Sequence, residues 1–307
     1  MSILWQPRLF IRGALSLAAV SGTAFLLTRR KLNQKCRRIP LSAVPKSSAC
    51  RNFVEIGERT NHPAWGLSSS TLLPSWPGDD TTPTHWIPSF TAVQVELPIS
   101  LPTKDTPQSG TDLLPLVKTL FAAFLSSPVM AFERWLMNRS VPPLSFTPGQ
   151  HLFGTAPNPG AFLLGTWSSA SGQPLNPLLL PDTAPNPVAA FPSNKDVLQG
   201  RNGEGEAAGL VLYWRGTGQP IQKVNRVIAA VGLPWQVMQG GFQEFIIERM
   251  EDSKEMVRVT YVSVEAQRMD PGRGGRRNFG RLPWMLMEMH VMYAQSLLWG
   301  AVGRLGR

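Results

Sequence analysis

Two side chains able to move protons, His290 and Tyr293, stand three residues apart in "LPWMLMEMHVMYAQSLLWGAVGRL", Leu282 to Leu305. On an α-helix they fall about 60° apart and share a face, which Leu297 and Ala301 continue. An imidazole that titrates near neutrality and a phenol beside it suit acid–base work on a bound substrate. His290 would be the general base or acid and Tyr293 the hydrogen-bond donor. The same pair serves equally well as hydrogen-bonding groups in a core helix. Glu288 and Gln295 occupy a different face. Glu133-Arg134 is a second candidate: Arg134 can hold a carboxylate or enolate, or the two form a rim ion pair. Met285, Met287, Met289 and Met292 give the last helix an adaptable apolar surface, suited to varied ligand shapes or to plain core packing.

The motifs of cofactor chemistry are missing from the sequence. It has no G-x-S-x-G, no Walker loop, no dinucleotide fingerprint and no H-E-x-x-H. Its four histidines are scattered, and its two cysteines, Cys36 and Cys50, match no metal spacing. Any chemistry is therefore expected to need neither metal nor cofactor. The net charge of +10 is carried by residues 1–54, which hold ten Lys/Arg and no acid, leaving 20 basic and 20 acidic residues elsewhere. A basic terminus beside a neutral body argues against general nucleic-acid binding.

These candidates need elements to position them. A membrane span at Leu282–Leu305 would carry Glu288, His290 and Gln295 at bilayer depth, which is expensive, so the segment reads as core helix and site wall. "FTAVQVELPI" alternates as a half-buried strand. "TDLLPLVKTLFAAFLSSPVMAFERWLMN" reads as two short helices meeting at an angle. Thr111 or Asp112 caps the first, and Ser127-Pro128 starts the second. "AFLLGTWSSA" and "AGLVLYWRG" are strands. "GFQEFIIERM", the turn "EDSKE" and "MVRVTYVSVEA" form a hairpin, with Glu244 and Glu248 on a polar face that Ile246 interrupts. The class is α+β: a strand, two helices, antiparallel strands and a long C-terminal helix, with a Pro-rich insertion near 168–207 and a stretch over Ile221–Met238 that reads as either a short helix or a loop insertion.

At the other end, "LFIRGALSLAAVSGTAFLLT" (Leu9–Thr28) has the length and apolarity of a transmembrane helix, and Arg29–Arg38 adds six positive charges. The positive-inside rule then places the rest of the chain in the cytoplasm. A mitochondrial address is the alternative, since the segment is Arg-rich and free of acid. The expected organisation is an anchor with its basic flank over 1–38, a Pro/Ser-rich linker over 39–88, and one domain over 89–307.

The strand–helix–helix–strands–helix order is that of the helix-grip fold, in which a curved antiparallel sheet wraps a long C-terminal helix. "LFAAFLSSPVMAFERWLM", "GLVLYWRG", "VRVTYVSVEA" and "MHVMYAQSLLWGAV" resemble motifs of small bacterial proteins of that superfamily, which includes the START and birch-pollen-allergen-like (SRPBCC) domains. With an anchor and Pro-rich insertions, the chain also resembles accessory proteins of fungal polyketide gene clusters of the aurovertin type. It departs at Ala208–Gly216, which lacks their Arg-Thr-Arg run. The resemblance implies a cavity for an apolar small molecule, polyketide or lipid, between sheet and helix. His290 and Tyr293 would be catalytic, and Arg134, Trp214, Tyr261 and Met289 would line the ligand. It also implies a polyketide synthase as partner and a cyclase-like role in pyrone or lactone closure. The alternatives are a non-catalytic lipid-binding carrier and a mitochondrial membrane assembly factor.

Overall fold

Local chemistry sets the break between the two middle helices. The Asp112 carboxylate accepts the Leu114 N–H at 3.0 Å, and Pro115 follows in the first turn, opening a helix over Leu114–Leu125. Ser127 then caps a second helix over Pro128–Leu136, its hydroxyl 3.4 Å from the Met130 N–H and Pro128 at the first position. The two helices meet at 49°. This is the angled pair that Ser127-Pro128 led us to expect.

The computed structural model describes residues 23–59, 67–68, 85–98, 112–136, 143–155, 158–172, 174–175, 206–215, a few positions within 223–232, 240–250, 252–269 and 284–305. In chain order the elements are α1 (residues 23–35), β1 (Arg37–Ile39), α2 (Ala49–Arg59), β2 (Leu67–Ser68) and β3 (His85–Pro98). Next come α3 (Leu114–Leu125), α4 (Pro128–Leu136), β4 (His151–Thr155) and β5 (Asn158–Ser168). β6 (Ala207–Arg215), β7 (Gly240–Met250), β8 (Ser253–Met269) and α5 (Trp284–Leu305) complete the chain. One antiparallel sheet runs β1-β3-β8-β7-β6-β5-β4, with β2 paired to β3. The molecule is α+β, with an antiparallel sheet and a C-terminal helix.

Both faces of this sheet are covered, which corrects two expectations. On the inner face, Val93, Val95, Leu210, Phe245, Ile247, Val257, Val259 and Tyr261 join buried residues of α3 and α5 in one core. On the outer face, Val211, Phe242, Ile246, Val262 and Val264 join Ile39, Val44, Ala49, Cys50 and Val54 in a second core. Residues 39–54 are therefore not an extended linker but a strap folded onto the sheet. Nor does β7 have a polar solvent face. Ile246 fits because its side is buried, and Glu244 on that side is fully buried.

Four donors meet the Glu244 carboxylate: the Ser48 hydroxyl at 2.5 Å, the Ala49 and Cys50 amides at 3.0 Å, and the Trp167 indole at 2.8 Å. Two of them are free amides of the first turn of α2, so the carboxylate caps that helix from another element. Burial raises the Glu244 pKa, and its four hydrogen bonds oppose the rise.

The β7–β8 turn is also tighter than "EDSKE", since Met250 already pairs with Ser253 and β8 runs on to Met269. Among the described residues no single helix is long and apolar enough to cross a membrane. Most of the expected anchor, residues 9–22, lies outside the described residues, as does most of the 168–207 insertion and of residues 216–240.

Candidate functional site

The inner face of the sheet changes character along its strands. Towards the β7–β8 turn it is apolar, and the rings of Phe121, Phe124, Phe245 and Tyr261 pack there with centroids 4.7 to 5.8 Å apart between nearest neighbours. That half of the interior is filled by side chains, so the expected hollow does not run the length of α5. Past Tyr261 the same alternation on β8 brings up Ser263 and Glu265. Thr91 on β3 and Gln243 on β7 face Ser263, while Gly241 faces Glu265 and Trp214 faces Gly241. Gly241 puts no side chain between Trp214 and Glu265, and none would fit, because a Cβ there would run into the Val264 carbonyl oxygen.

α5 crosses this polar end. His290 Nε2 lies 2.9 Å from Glu265 Oε1, a contact that is ionic only when the imidazole is protonated and that lacks the alignment of a hydrogen bond. The Ser263 hydroxyl donates to the same carboxylate oxygen at 3.1 Å. Tyr293 donates its hydroxyl to Glu133 on α4, and its ring centroid is 6.5 Å from that of His290. Burial raises the Glu133 pKa against the opposing Tyr293 hydrogen bond. Tyr293 is itself pushed far up by burial, then by the charge and hydrogen bond of Glu133. Tyr261 is held well above the ordinary phenol range, by burial first and the Glu265 charge second. Both phenols therefore stay protonated, and Tyr293 acts as a donor.

The structure brings three of the expected residues to the polar end of the sheet, His290, Tyr293 and Trp214, with Tyr261 at the boundary where the ring cluster stops. Tyr261 is fully buried in the ring cluster. Met289 is half exposed at the rim. Arg134 instead donates to the Leu125 carbonyl at 2.8 Å, which ties α4 to the end of α3. Glu133 and Arg134 thus point to different partners, and they do not form the pair that their adjacency suggested.

Three contributors escaped the sequence reading: Glu265, Ser263 and Thr91. A usable signal existed, because continuing the Val257, Val259, Tyr261 face by twos reaches Ser263 and Glu265. Among the described residues the buried atoms Thr91 Oγ1, Trp214 Nε1, Glu265 Oε2 and His290 Nε2 find no hydrogen-bond partner. Buried polar groups are nearly always paired, so such a concentration at one end marks a place prepared for something polar.

Elsewhere, an open depression of about 360 Å³ lies on the outer side, lined by Arg38, Ile39, Pro40, Phe90 and Ala92. Among the described residues no group of three His, Cys, Asp or Glu could hold a metal ion. No family model matches the chain, and no curated protein or solved structure does either.

Proposed function

We propose that this chain is a membrane-anchored helix-grip domain that binds an apolar polyketone and promotes its closure to a lactone or pyrone. The strand order supports the fold. β3 is followed by two helices, a meander from β4 to β8 and the last helix, and β3 pairs with β8. The anchor is Leu9–Thr28, with the domain on the cytoplasmic side. The observation that carries the function is the set of unpartnered buried atoms beside His290–Glu265. A polyketone presents carbonyl oxygens at regular intervals, and the Trp214 indole and Thr91 hydroxyl are free to donate to them.

In the proposed step, His290 takes the proton of an enol hydroxyl as its oxygen attacks the thioester carbonyl of the same chain. The new C–O bond closes the ring, the C–S bond breaks, and the leaving thiolate takes the proton back from the imidazolium. Glu265 stabilises that imidazolium, while Trp214 and Thr91 hold the carbonyl oxygen as charge builds on it. Tyr293, fixed by Glu133, steadies the bound chain as a donor. A polyketide synthase is the class of partner that supplies such a thioester.

The test uses the full chain in phosphatidylcholine vesicles with a synthetic diketo thioester, scoring pyrone release by mass spectrometry and thioester binding by calorimetry. His290→Phe is expected to bind the thioester normally while the rate falls by about a hundredfold or more. Equal rates for the wild type and the variant overturn the acid–base role and leave a non-catalytic carrier.

A further inference from the structure

The first described helix reports where the chain enters the domain. α1 runs alongside α5 in the same direction: Arg29 pairs with Glu288 at 2.6 Å, Asn33 and the Cys36 carbonyl accept from Gln295, and the Lys35 amine lies over the Trp299 ring. Residue 23 therefore lies towards the N-terminal end of α5. The 14 residues from Leu9 to Gly22, with Arg12 their one charge, join the fold at that end. α4 runs the opposite way along α5, with Ser127 beside Gly300 and Glu133 beside Tyr293. Its last turn consequently reaches the same end.

Large apolar side chains stand exposed there. Phe132 is 59% and Trp135 74% exposed on α4, Met289 50% on α5, and Leu26 and Leu27 57% and 61% on α1. The Phe132 and Trp135 rings pack against each other at 5.8 Å. Arg30 and Lys31, both exposed, follow closely on Leu26 and Leu27. An aromatic pair, a Met and two Leu beside exposed cations form the composition of a surface that sits at a lipid headgroup boundary.

We propose that this end of the domain docks on the surface of a lipid bilayer, with Phe132 and Trp135 in the headgroup region. The domain then does not swing on a tether. The proposal rests on the anchored reading given above, because the apolar stretch enters here. It also places the His290 end of the sheet against the membrane, so an apolar ligand can pass from bilayer to site without crossing water.

The experiment attaches an environment-sensitive NBD fluorophore to a thiol introduced at Phe132→Cys, Trp135→Cys, Thr28→Cys or Asp252→Cys in the full chain. Cys36 and Cys50 are fully buried and stay unlabelled. Each protein is placed in vesicles of phosphatidylcholine, with and without phosphatidylserine, containing doxyl-quencher lipids. Labels at 132, 135 and 28 are expected to brighten severalfold over detergent and to be quenched. The label at Asp252, by the β7–β8 turn at the far end, is expected to do neither. If 28 is quenched while 132 and 135 behave like 252, the docking is overturned and the anchor stands. If 28 is not quenched either, the anchored reading falls, and the docking falls with it. Shielding of 132 and 135 that needs no lipid and grows with protein concentration shows a second copy on this face and also overturns the proposal.

Discussion

Replacing Glu244 with Ala tests whether residues 39–54 belong to the folded domain. The carboxylate receives hydrogen bonds from Ser48, Ala49, Cys50 and Trp167, and its side chain is fully buried. Losing a cap on the first turn of a helix costs about 0.5–2 kcal/mol. Losing a charge-assisted partner for the buried indole costs about 1.5–3 kcal/mol more. The sum, about 2–5 kcal/mol, has a ceiling. Once the deficit exceeds what holds the strap down, α2 lifts off and its amides and Ser48 return to water. The damage should therefore be local, and Cys50 reports it, because burial pushes its thiol well above the ordinary range and closes it to reagents. At about 4 kcal/mol the open population rises roughly a thousandfold. Labelling of Cys50 should rise accordingly, with urea stability measured in parallel, while Cys36, packed against Gln295, stays slow. Glu244→Gln keeps one acceptor and should give an intermediate effect. If Glu244→Ala leaves Cys50 as protected as before and lowers stability by less than about 1 kcal/mol, the strap is held by its apolar contacts and the capping argument fails.

Two further outcomes follow from the packing. Gly209→Ala places a Cβ against the Trp167 indole, which is fully buried and cannot retreat without leaving Glu244, so it should mimic a weaker Glu244→Ala in the same thiol assay. Glu133 has its folded pKa above the ordinary carboxylate value, so the folded chain binds that proton more tightly than the unfolded chain. Its contribution is full below the unfolded pKa and is lost as pH rises through the folded one. Glu133→Gln should flatten the pH dependence of urea stability in that window, and an unchanged slope would show that the carboxyl does not titrate there.

Features set by neighbouring residues were readable in advance. Ser127-Pro128 announces a helix break, and Val93, Val95 and Leu97 announce a strand with one covered side. The long apolar run of α5, interrupted by polar groups, announces a core helix better than a span. The strap was missed although Ala49, Cys50 and Val54 fall at helical spacing, because that one short amphipathic stretch follows a Pro- and Ser-rich run and carries no sign of which surface covers it. Only their match to the outer face of β7 and β8 makes them core. The misread polar face of β7 has the same cause: Glu244 looks like a solvent residue until a helix start from 195 positions away is laid over it. For the site, the α5 half was visible as His290 and Tyr293, but their carboxylates come from β8 and α4, and strand register is decided by pairing across the sheet.

The two polar faces of α5 bind the ends of the molecule into one unit. On one face, the Glu288 side chain, only 11% exposed, pairs with Arg29, and the fully buried Gln295 donates to Asn33 and the Cys36 carbonyl. Removing α1 would take Arg29 from Glu288, leaving it Arg38 at 3.6 Å, and Asn33 from Gln295, leaving it the Cys36 carbonyl, so each buried group would lose one of two partners at about 1–3 kcal/mol. On the next face, His290 and Tyr293 meet Glu265 and Glu133. A helix held on one side by the incoming chain and on the other by the site cannot rotate to satisfy one set alone, because a turn of about 100° would break both. The basic segment after the apolar stretch thus acts as a splint for the helix that carries His290. Loosening it should be felt as a change in site geometry before any loss of the sheet.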